Sequence, residues 1–535
     1  MILKQQILFF EVLNQKNIEK YTIMKKNASH LFCLFFFTLI TSTLSAQVNP
    51  TNLFDEQRKK FEEMLNKQRK DMNNTKKEQQ KIFKEFRKLQ DKDFSKLLKD
   101  QKWKLVKPDS NAIEDTKPKP NKIPNVEIKK EEKRNNIEIQ TIPRQELPPM
   151  PILPYTTPTI ISVMVTPEKQ RKELPKLSLK YLDINVQIPY PDNFKIDKLK
   201  NINQKVIAQY WEVMTEKDYL YFLQQIIKLR VEMQLNDWAY YRFLEDIGEQ
   251  IMEKDKNLTT LFTWFMLLQS GYNVKIGFEA DNLYLLYPAQ TTIFRNTYYR
   301  IDKQPFYVLN APKAQMQVNI YENNFPEAKL IPNLSIKKEP KVSSEVNTKT
   351  LKFRHLSKEY AVDVAYNPTI IQLYQNYPLT DMRIYFEGKP TEMVVNSLEK
   401  SLKELLKGKN EWESVNFLLA FVQKSFQYKT DQEQFGIEKP FFIEEILHYP
   451  FSDCEDRSVF FAYLVDKLLG LEVVGLDYPG HIATAVKFTQ ELNGDFVMHN
   501  EKKYLICDPT YIGAFAGEAM TDLKNVKAQV IEIVR

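Results

Sequence analysis

The feature that most constrains the fold of this 535-residue chain is a stretch near its C-terminus. It runs Pro450-Phe-Ser-Asp-Cys454-Glu-Asp-Arg-Ser-Val-Phe-Phe-Ala-Tyr-Leu-Val465, and its polar start and long apolar run predict a buried helix that opens at the cysteine. Two strand-like runs follow, Tyr478-Pro-Gly-His481-Ile-Ala-Thr-Ala-Val486 and Lys503-Tyr-Leu-Ile-Cys-Asp508-Pro-Thr-Tyr511. A thiol, an imidazole and a carboxylate therefore occur in this order, each 27 positions after the one before.

This arrangement suits nucleophilic catalysis by the cysteine. Only the thiolate is a good nucleophile, and the positive end of a helix dipole lowers the pKa of a cysteine in the first turn. Ser452 or Asp453 can cap the helix, and Asp456 fits a capping-box position relative to Asp453. Asp453, Glu455 and Asp456 all oppose a thiolate, so a nearby cation is required. His481 can supply this charge as an imidazolium and can act as general base and acid. Asp508 would orient the imidazole and stabilise its charge, as the third member of a triad does.

The other cysteine of this region is predicted to be structural. Alternation along the last strand groups Tyr504 with Asp508 on one face, so Cys507 faces the opposite side and packs into the core. The plain alternative for Cys454 is a buried free thiol with an unrelated histidine and aspartate. The helix start, the two strands and the glycine just before His481 favour the triad.

These residues and their context resemble the transglutaminase-like superfamily. The resemblance spans about Glu411 to Gly517 and rests on Ser-Asp-Cys454-Glu-Asp-Arg-Ser before an apolar helix, a Gly-Leu-Glu-Val-Val strand, Gly480-His481-Ile-Ala-Thr-Ala-Val, and Cys507-Asp508-Pro-Thr-Tyr511. It implies a cysteine-bearing helix packed against a sheet that carries the histidine and the aspartate, a rearranged papain-type site. It also implies that Cys454 is the nucleophile, His481 the base and Asp508 the orienting residue.

The resemblance leaves the reaction open, because the superfamily includes protein cross-linkers, deamidases, peptidases and inactive scaffolds. Its active members attack a carboxamide or peptide carbonyl to give a thioester, which an amine or water resolves. The resemblance also implies an oxyanion held by the Cys454 backbone N–H and one further donor. Gln434, in Tyr428-Lys-Thr-Asp-Gln-Glu-Gln-Phe-Gly436, is the candidate for that donor, although a loop glutamine without a catalytic role fits the sequence equally well.

No metal ion or cofactor is predicted. The three cysteines form no CxxC pair, the five histidines form no HxxxH pair, and the sequence contains no GxGxxG, Walker or DxDxDG loop. The calcium dependence of animal transglutaminases is therefore not carried over to this chain. The net charge of +7 is spread over interleaved basic and acidic residues, which argues against a nucleic-acid partner.

An internal repeat is predicted at an offset of 199 positions. Thr259-Thr-Leu-Phe-Thr-Trp-Phe-Met-Leu-Leu-Gln-Ser-Gly271-Tyr-Asn-Val-Lys275 overlays Ser458-Val-Phe-Phe-Ala-Tyr-Leu-Val-Asp-Lys-Leu-Leu-Gly470-Leu-Glu-Val-Val474. Asp255 then stands where Cys454 is, and Asn282 where His481 is, so the first copy would lack the nucleophile and the base. A common helix–glycine–strand pattern without a duplication is the alternative.

The N-terminal part of the chain predicts export. Within residues 1–46, a signal peptide starts at Met24, with Lys25-Lys26, an apolar run from Leu31 to Ile40, and cleavage near Ala46-Gln47; an uncleaved membrane anchor is the alternative. Residues 47–106 form a charged helical segment with a thin apolar stripe. A helical hairpin, a short coiled coil or a helix lying on another domain all fit that stripe, which is also a candidate surface for an envelope protein partner. Residues 107–170 are proline-rich and predict an extended linker.

The remainder predicts an α+β multidomain protein. Residues 171–310 are assigned to a degenerate transglutaminase-like domain, residues 311–390 to a small antiparallel β domain, and residues 391–535 to the transglutaminase-like catalytic domain. Within the β domain, alternating apolar residues predict strands over 316–320, 360–366 and 382–386.

The leading functional prediction is an exported cysteine-dependent acyl-transfer enzyme that acts on amide or peptide bonds of a protein or peptide, with hydrolysis favoured. The substrate could also be a cell-wall peptide, attacked by the same triad. The alternative, from another class, is a non-catalytic cell-envelope scaffold in which the triad is a relic. The expected location is the periplasm or the cell surface of a Gram-negative-type bacterium.

Overall fold

The computed structural model describes residues 78, 81–99, 103–109, 136–142, 174–190, 194, 196–310, 316–321 and 325–534. The predicted signal peptide, the first part of the charged segment and most of the proline-rich linker lie outside these residues. The chain divides into two units, Met1–Ile82 and Phe83–Arg535, and the description below concerns almost entirely the second. This unit contains helices and mostly antiparallel sheets, which confirms the predicted α+β class.

Two six-stranded sheets organise the unit. The first contains, in spatial order, β7 (Tyr298–Ile301), β8 (Gln304–Val308), β6 (Asn282–Pro288), β5 (Lys275–Glu279), β9 (Val318–Ile320) and β1 (Lys104–Val106). The second contains β16 (Phe496–His499), β17 (Lys502–Cys507), β15 (His481–Val486), β14 (Val473–Tyr478), β18 (Ala528–Ile531) and β2 (Thr141–Ile142). Only β2 pairs in parallel with its neighbour; the other pairs of these two sheets are antiparallel.

The two sheets share one connectivity. In each sheet, five strands follow a long buried helix in the chain, and we count them in chain order without the N-terminal strand. The first two form a hairpin, the fourth lies beside the second, and the fifth lies beside the first. The third strand forms one edge, and a strand from the N-terminal part completes the other. The registers also agree, because Glu279 pairs with Asn282 as Tyr478 pairs with His481, at the same offset of 199. This agreement supports the predicted internal repeat.

Two short N-terminal segments each connect the opposite edges of one sheet. β1 pairs with β9, and shortly afterwards the Asp109 N–H donates to the Tyr298 carbonyl of β7 at 3.0 Å. In the second sheet, Glu138 forms a bridge with Phe496 of β16, and β2 pairs with β18. We call residues 136–142 the strap. The strap falls inside the segment predicted to be a linker, so this part of the linker belongs to the second sheet.

Each sheet encloses a small core that its N-terminal segment completes. Val106 belongs to the core of the first sheet and Ile139 to that of the second. Ile139 packs with the inward side chains of the second sheet, which are Val474, Leu476, Tyr478, Ala483, Ala485, Val497, Tyr504 and Ile506. The other face of each sheet packs against helices in the main core.

Several helices precede each sheet in the chain. Residues 81–99 are helical. The helices before the first sheet are Gln204–Glu216, Tyr219–Glu232, Asp237–Ile251 and Lys256–Gln269, and those before the second are Glu392–Leu406, Glu411–Ser425, Asp431–Phe435, Ile443–His448 and Cys454–Leu469. In the part of the chain that the structure describes, no helix is both long and apolar enough to cross a membrane.

Three smaller features complete the fold. β3 (Lys176–Tyr181) and β4 (Ile184–Pro189) form a hairpin. The alternation of Ile184, Val186 and Ile188 is typical of a half-buried strand, and these residues lie in β4. A longer hairpin joins β10 (Asn347–His355) to β11 (Lys358–Tyr366). A short helix, Ile370–Gln375, follows β11.

The region predicted as a small β domain differs from the expectation. Its described residues hold one hairpin, β10 with β11, while β9 belongs to the first sheet. The strand predicted over residues 382–386 is wrong, because Met382–Phe386 is a helix. The Asp381 side chain accepts a hydrogen bond from the Arg383 N–H at 2.9 Å and starts that helix. The last three helical residues are buried in succession rather than alternately, which no half-buried strand would allow.

Candidate active site

The helix Cys454–Leu469, here called the cysteine helix, presents the thiol at its first residue. The Asp456 carboxylate accepts a hydrogen bond from the Asp453 N–H at 3.1 Å, in the capping-box arrangement that the sequence predicts. Residues 454–465 of this helix are all buried. One turn after the cysteine, the Ser458 hydroxyl donates to the Ile482 carbonyl at 3.0 Å, which fastens the helix to β15 beside His481.

His481 and Asp508 lie at neighbouring strand ends of the second sheet. The turn between β14 and β15 contains Gly480 with a φ of 78°, a conformation that glycine adopts without strain. His481 follows as the first residue of β15. β17 runs antiparallel to β15, with Cys507 opposite Thr484, so Asp508 emerges beside the start of β15.

The structure brings the three predicted side chains together. Nε2 of His481 lies 2.8 Å from Oδ2 of Asp508. Cys454 is close enough to the imidazole for its side chain to raise the pKa of His481. Oδ1 of Asp508 accepts hydrogen bonds from the N–H groups of Thr510 and Tyr511 at 2.8 and 3.2 Å. The carboxylate is therefore held on both oxygens.

The site is closed to solvent and favours a charged imidazole. Cys454 is 0% exposed, His481 6% and Asp508 1%. Burial lowers the pKa of His481, but the charge and hydrogen bond of Asp508, with a smaller effect of Cys454, raise that pKa to about 10. His481 is therefore protonated at neutral pH, the state that can stabilise a thiolate. Cys507 packs among the helices, as strand alternation predicts, and burial raises its pKa.

The thiol has an acidic neighbour as well. Its Sγ lies 3.0 Å from Oε2 of the buried Glu455. Oxygens of Asp431, Glu438 and Glu455 lie within 4.8 Å of one another, as do those of Asp431, Asp453 and Asp456. Burial raises the pKa of Asp456, and the charges of Asp453 and Asp431 add to that rise. Hard divalent cations prefer such oxygens. Two of these carboxylates also hold the local backbone: Asp431 accepts a hydrogen bond from the Lys439 N–H, and Asp456 accepts from the N–H groups of Phe441 and Asp453.

Gln434, the candidate oxyanion donor, lies on the short helix Asp431–Phe435. β12 (Gln427–Tyr428) pairs in parallel with β13 (Phe451–Ser452), so this short helix and the cysteine helix leave the pair at the same end. The side-chain nitrogen of Gln434 is buried and, among the described residues, has no hydrogen-bond acceptor. A buried amide N–H of this kind is suited to bind an oxygen of the substrate.

Sequence reasoning missed a buried arginine under the start of the cysteine helix. Arg457 donates from Nε to the Ser452 hydroxyl at 3.1 Å and from its guanidinium to the Phe426 carbonyl at 2.9 Å. Burial lowers its pKa to about 10, which still leaves Arg457 charged at neutral pH. The guanidinium supplies a second positive charge near the acidic cluster. An arginine placed directly before an apolar helical run is the signal in the sequence that could have indicated it.

The corresponding place in the first sheet has different chemistry. Asp255 caps the helix Lys256–Gln269 with its carboxylate. Asn282 is exposed at the start of β6. The pairing of β6 with β8 places Asn310 where Asp508 stands, and its amide is bonded to the backbone of β6. The three positions thus carry neither a thiol nor an imidazole.

Comparisons of the chain with family models, with curated proteins and with solved structures find no match. The function must therefore be argued from the site. Within the described residues, this site consists of a helix-borne thiol, an imidazole whose pKa that thiol helps to raise, and a carboxylate hydrogen-bonded to the imidazole. These are the parts of a cysteine nucleophile with its general base and orienting group.

Proposed function

We propose that residues 391–535 form a transglutaminase-like domain that catalyses cysteine-dependent acyl transfer. The observation that carries this proposal is the buried His481–Asp508 pair, with 2.8 Å between the imidazole and the carboxylate, together with the Cys454 thiol at the helix start, whose side chain raises the pKa of His481. The substrate is an amide or peptide bond of a protein or peptide, which includes the peptides of a cell wall. The chemistry requires no metal ion or cofactor.

The first half of the reaction forms a thioester. The Cys454 thiolate attacks the carbonyl carbon, a C–S bond forms, and the carbonyl π electrons move to the oxygen. The Cys454 N–H, with Gln434 as the further donor, would hold that oxyanion. The oxyanion then collapses, the C–N bond breaks, and His481 gives its proton to the departing nitrogen. A carboxamide releases ammonia, and a peptide bond releases an amine.

The second half of the reaction returns the enzyme to its starting state. His481, now neutral, accepts a proton from water as the oxygen attacks the thioester, and the C–S bond breaks to regenerate the thiolate and release a carboxylic acid. Asp508 stays ionised and keeps the imidazole in place throughout. We favour hydrolysis because water is the most abundant acceptor, whereas an amine in the same position would give transfer.

We extend the proposal to the rest of the chain. The shared connectivity of the two sheets supports a duplication in which the first copy, residues 171–310, is degenerate. The pattern of residues 24–46 supports export to the periplasm or cell surface, although these residues lie outside the described part of the structure. The charged segment of residues 47–106 remains a candidate surface for an envelope protein partner.

The first test is the pH dependence of iodoacetamide alkylation, measured by peptide mass spectrometry. Cys454 should react well below neutral pH because its thiolate is paired with an imidazolium, whereas the buried Cys507 should lag. The His481→Ala variant should lose the low-pH reactivity of Cys454. Reaction of both thiols near the free-cysteine pKa of about 8.5, or only after unfolding, would reject the catalytic proposal.

A non-catalytic envelope scaffold is the second candidate function. The first sheet favours it, because the same connectivity persists there with Asp255 and Asn282 in place of the thiol and imidazole. The fold therefore does not depend on the triad. An unreactive Cys454 would support this candidate and direct the search to binding partners.

A further inference from the structure

The helix Glu411–Ser425 carries a buried glutamine that holds the loop of Asp508. Nε2 of Gln423 lies 3.1 Å from the carbonyl of Asp508, 2.8 Å from that of Tyr511 and 3.1 Å from that of Ala514. Its Oε1 accepts a hydrogen bond from the Gly513 N–H at 3.1 Å. One side-chain amide thus meets four backbone groups of a single seven-residue loop.

That loop needs such support because of where Asp508 lies. Asp508 follows the last residue of β17, and residues 508–514 belong to no helix or named strand. The position of the carboxylate therefore follows the backbone of the loop rather than that of the sheet. Its hydrogen bond to His481 is 2.8 Å long, and a shift of about 1 Å would take it beyond hydrogen-bonding distance.

The backbone of Gln423 also connects to the cysteine side of the site. Nη1 of Arg457 donates to the Gln423 carbonyl at 3.3 Å, while Nε of Arg457 donates to Ser452, two residues before the nucleophile. The end of the helix Glu411–Ser425 is thus joined by buried hydrogen bonds both to the segment that leads into Cys454 and to the loop that carries Asp508.

The first copy differs at this position. Asn236 and Asn410 are the caps of the corresponding helices, and counting from these caps places Glu249 where Gln423 stands. Glu249 is exposed. Of the two copies, the buried amide thus occurs in the one that carries the triad, as a role in supporting the triad would require.

We infer that Gln423 is a positioning residue for the Cys454–His481–Asp508 site, fixing the Asp508 loop so that the carboxylate meets the imidazole. The inference rests on the proposed function. Gln423 itself touches no reacting group; it acts through Asp508, whose charge keeps His481 protonated and so stabilises the thiolate.

The test compares Gln423→Leu and Gln423→Glu in the full chain. Leucine removes all the hydrogen bonds of the amide, and glutamate keeps its size and the acceptor for Gly513 while placing a carboxylate oxygen against three carbonyls. If Gln423→Leu does not fold, Gln423→Glu alone provides the test. In both variants, we expect the rate at which iodoacetamide alkylates Cys454 at pH 6 to fall about tenfold, because a displaced Asp508 no longer keeps His481 charged beside the sulfur.

Asn416→Leu is the matched control. Asn416 is buried on the same helix, two turns earlier, and its Oδ1 accepts a hydrogen bond from the Ala516 N–H at 2.8 Å, further along the same loop. This variant should lower the melting temperature to a similar degree yet change the alkylation rate at pH 6 by less than about twofold, since it leaves Asp508 in place.

Three outcomes would overturn the inference. Gln423 variants with the wild-type pH profile would reject it while leaving the proposed function intact. Loss of low-pH reactivity in the Asn416 control as well would reduce Gln423 to a general role in stability. A wild-type Cys454 without low-pH reactivity would reject both the inference and the proposed function.

Discussion

His481 is a buried cation between two groups that can both be negative, the carboxylate of Asp508 and the thiolate of Cys454. Burial opposes its charge, and the pKa of about 10 shows that the two partners more than offset this effect. Arg457 adds a second buried positive charge near the acidic residues of the helix start. At the residue scale, the site is therefore a balance of buried charges rather than an isolated reactive thiol.

The stability of the fold should depend on pH through this histidine. The pKa of His481 is raised from 6.5 to about 10, so its contribution is complete below about pH 6.5 and is lost as the pH rises through 10. We expect the difference in unfolding free energy between the wild type and His481→Gln to shrink by at least about 1 kcal/mol between pH 7 and pH 9. Urea titrations at several pH values measure this difference. A difference that stays constant over this range would mean that His481 is not held as a cation.

At the scale of elements, the strap connects β16 and β18, which lie on opposite sides of the second sheet. Ile139 donates its N–H to the Phe496 carbonyl at 2.8 Å, and the Ala528 N–H donates to the Gln140 carbonyl at 3.1 Å. The side chain of Ile139 is 1% exposed inside the second sheet, whereas that of Ile142, on the same strap, is 37% exposed. The strap therefore stabilises the sheet that carries His481 and leads into Asp508.

Substitutions of two isoleucines of the strap, one buried and one exposed, test whether the strap stabilises the second sheet. Ile139→Ala should lower the unfolding free energy by about 2–4 kcal/mol, because it leaves a cavity in a closed core. Ile142→Ala should cost less than about 1 kcal/mol, since part of its side chain is already in solvent. Denaturant unfolding of the full chain measures both values. Equal effects of the two substitutions would contradict a closing role for the strap.

At the scale of the whole molecule, the helix that ends at residue 99 packs against the helices before the first sheet through a buried polar network. Arg87 forms an ion pair with Glu327 at 2.5 Å and a hydrogen bond with the Gln269 side chain. Asp91 accepts hydrogen bonds from the Tyr219 hydroxyl at 2.6 Å and from Gln269 at 3.0 Å. Among the three arrangements that fit the charged segment, this part of it is a helix lying on another folded region.

Arg87→Ala should therefore destabilise the docked helix. The substitution leaves the buried Asp91 and the partly exposed Glu327 without their cation, and because solvent screens Glu327 we expect a loss of about 1–3 kcal/mol, less than for a fully buried pair. Lys96→Ala is the control, because Lys96 and its partner Asp93 are both exposed, and it should change stability by less than about 0.5 kcal/mol. Amide hydrogen exchange of residues 81–99 should accelerate in the first variant alone. Unchanged exchange after Arg87→Ala would show that the network does not hold the helix.

Local features of the structure could be predicted from the sequence alone. The start of the cysteine helix, the two strand runs after it and the helix–glycine–strand unit of residues 259–275 follow from periodicity, caps and glycines, which act over one or two turns of chain. The order of Cys454, His481 and Asp508 on a helix start and two strands was visible for the same reason. The hydrogen bond between His481 and Asp508 agrees with the triad that these local patterns predicted.

Contacts between distant segments required the tertiary structure. The strap is a short run inside a proline-rich segment, and Ile139 becomes a core residue only because strands 335 or more positions later surround it. Met382–Phe386 alternates like a strand, yet buries consecutive side chains as a helix. Gln423 is one polar residue in an apolar helix until the loop of Asp508 folds onto it. The sequence by itself determined the elements and the candidate nucleophile, because these depend on near neighbours; the tertiary structure decided what surrounds and supports the site, because buried hydrogen bonds are specified by residues far apart in the chain.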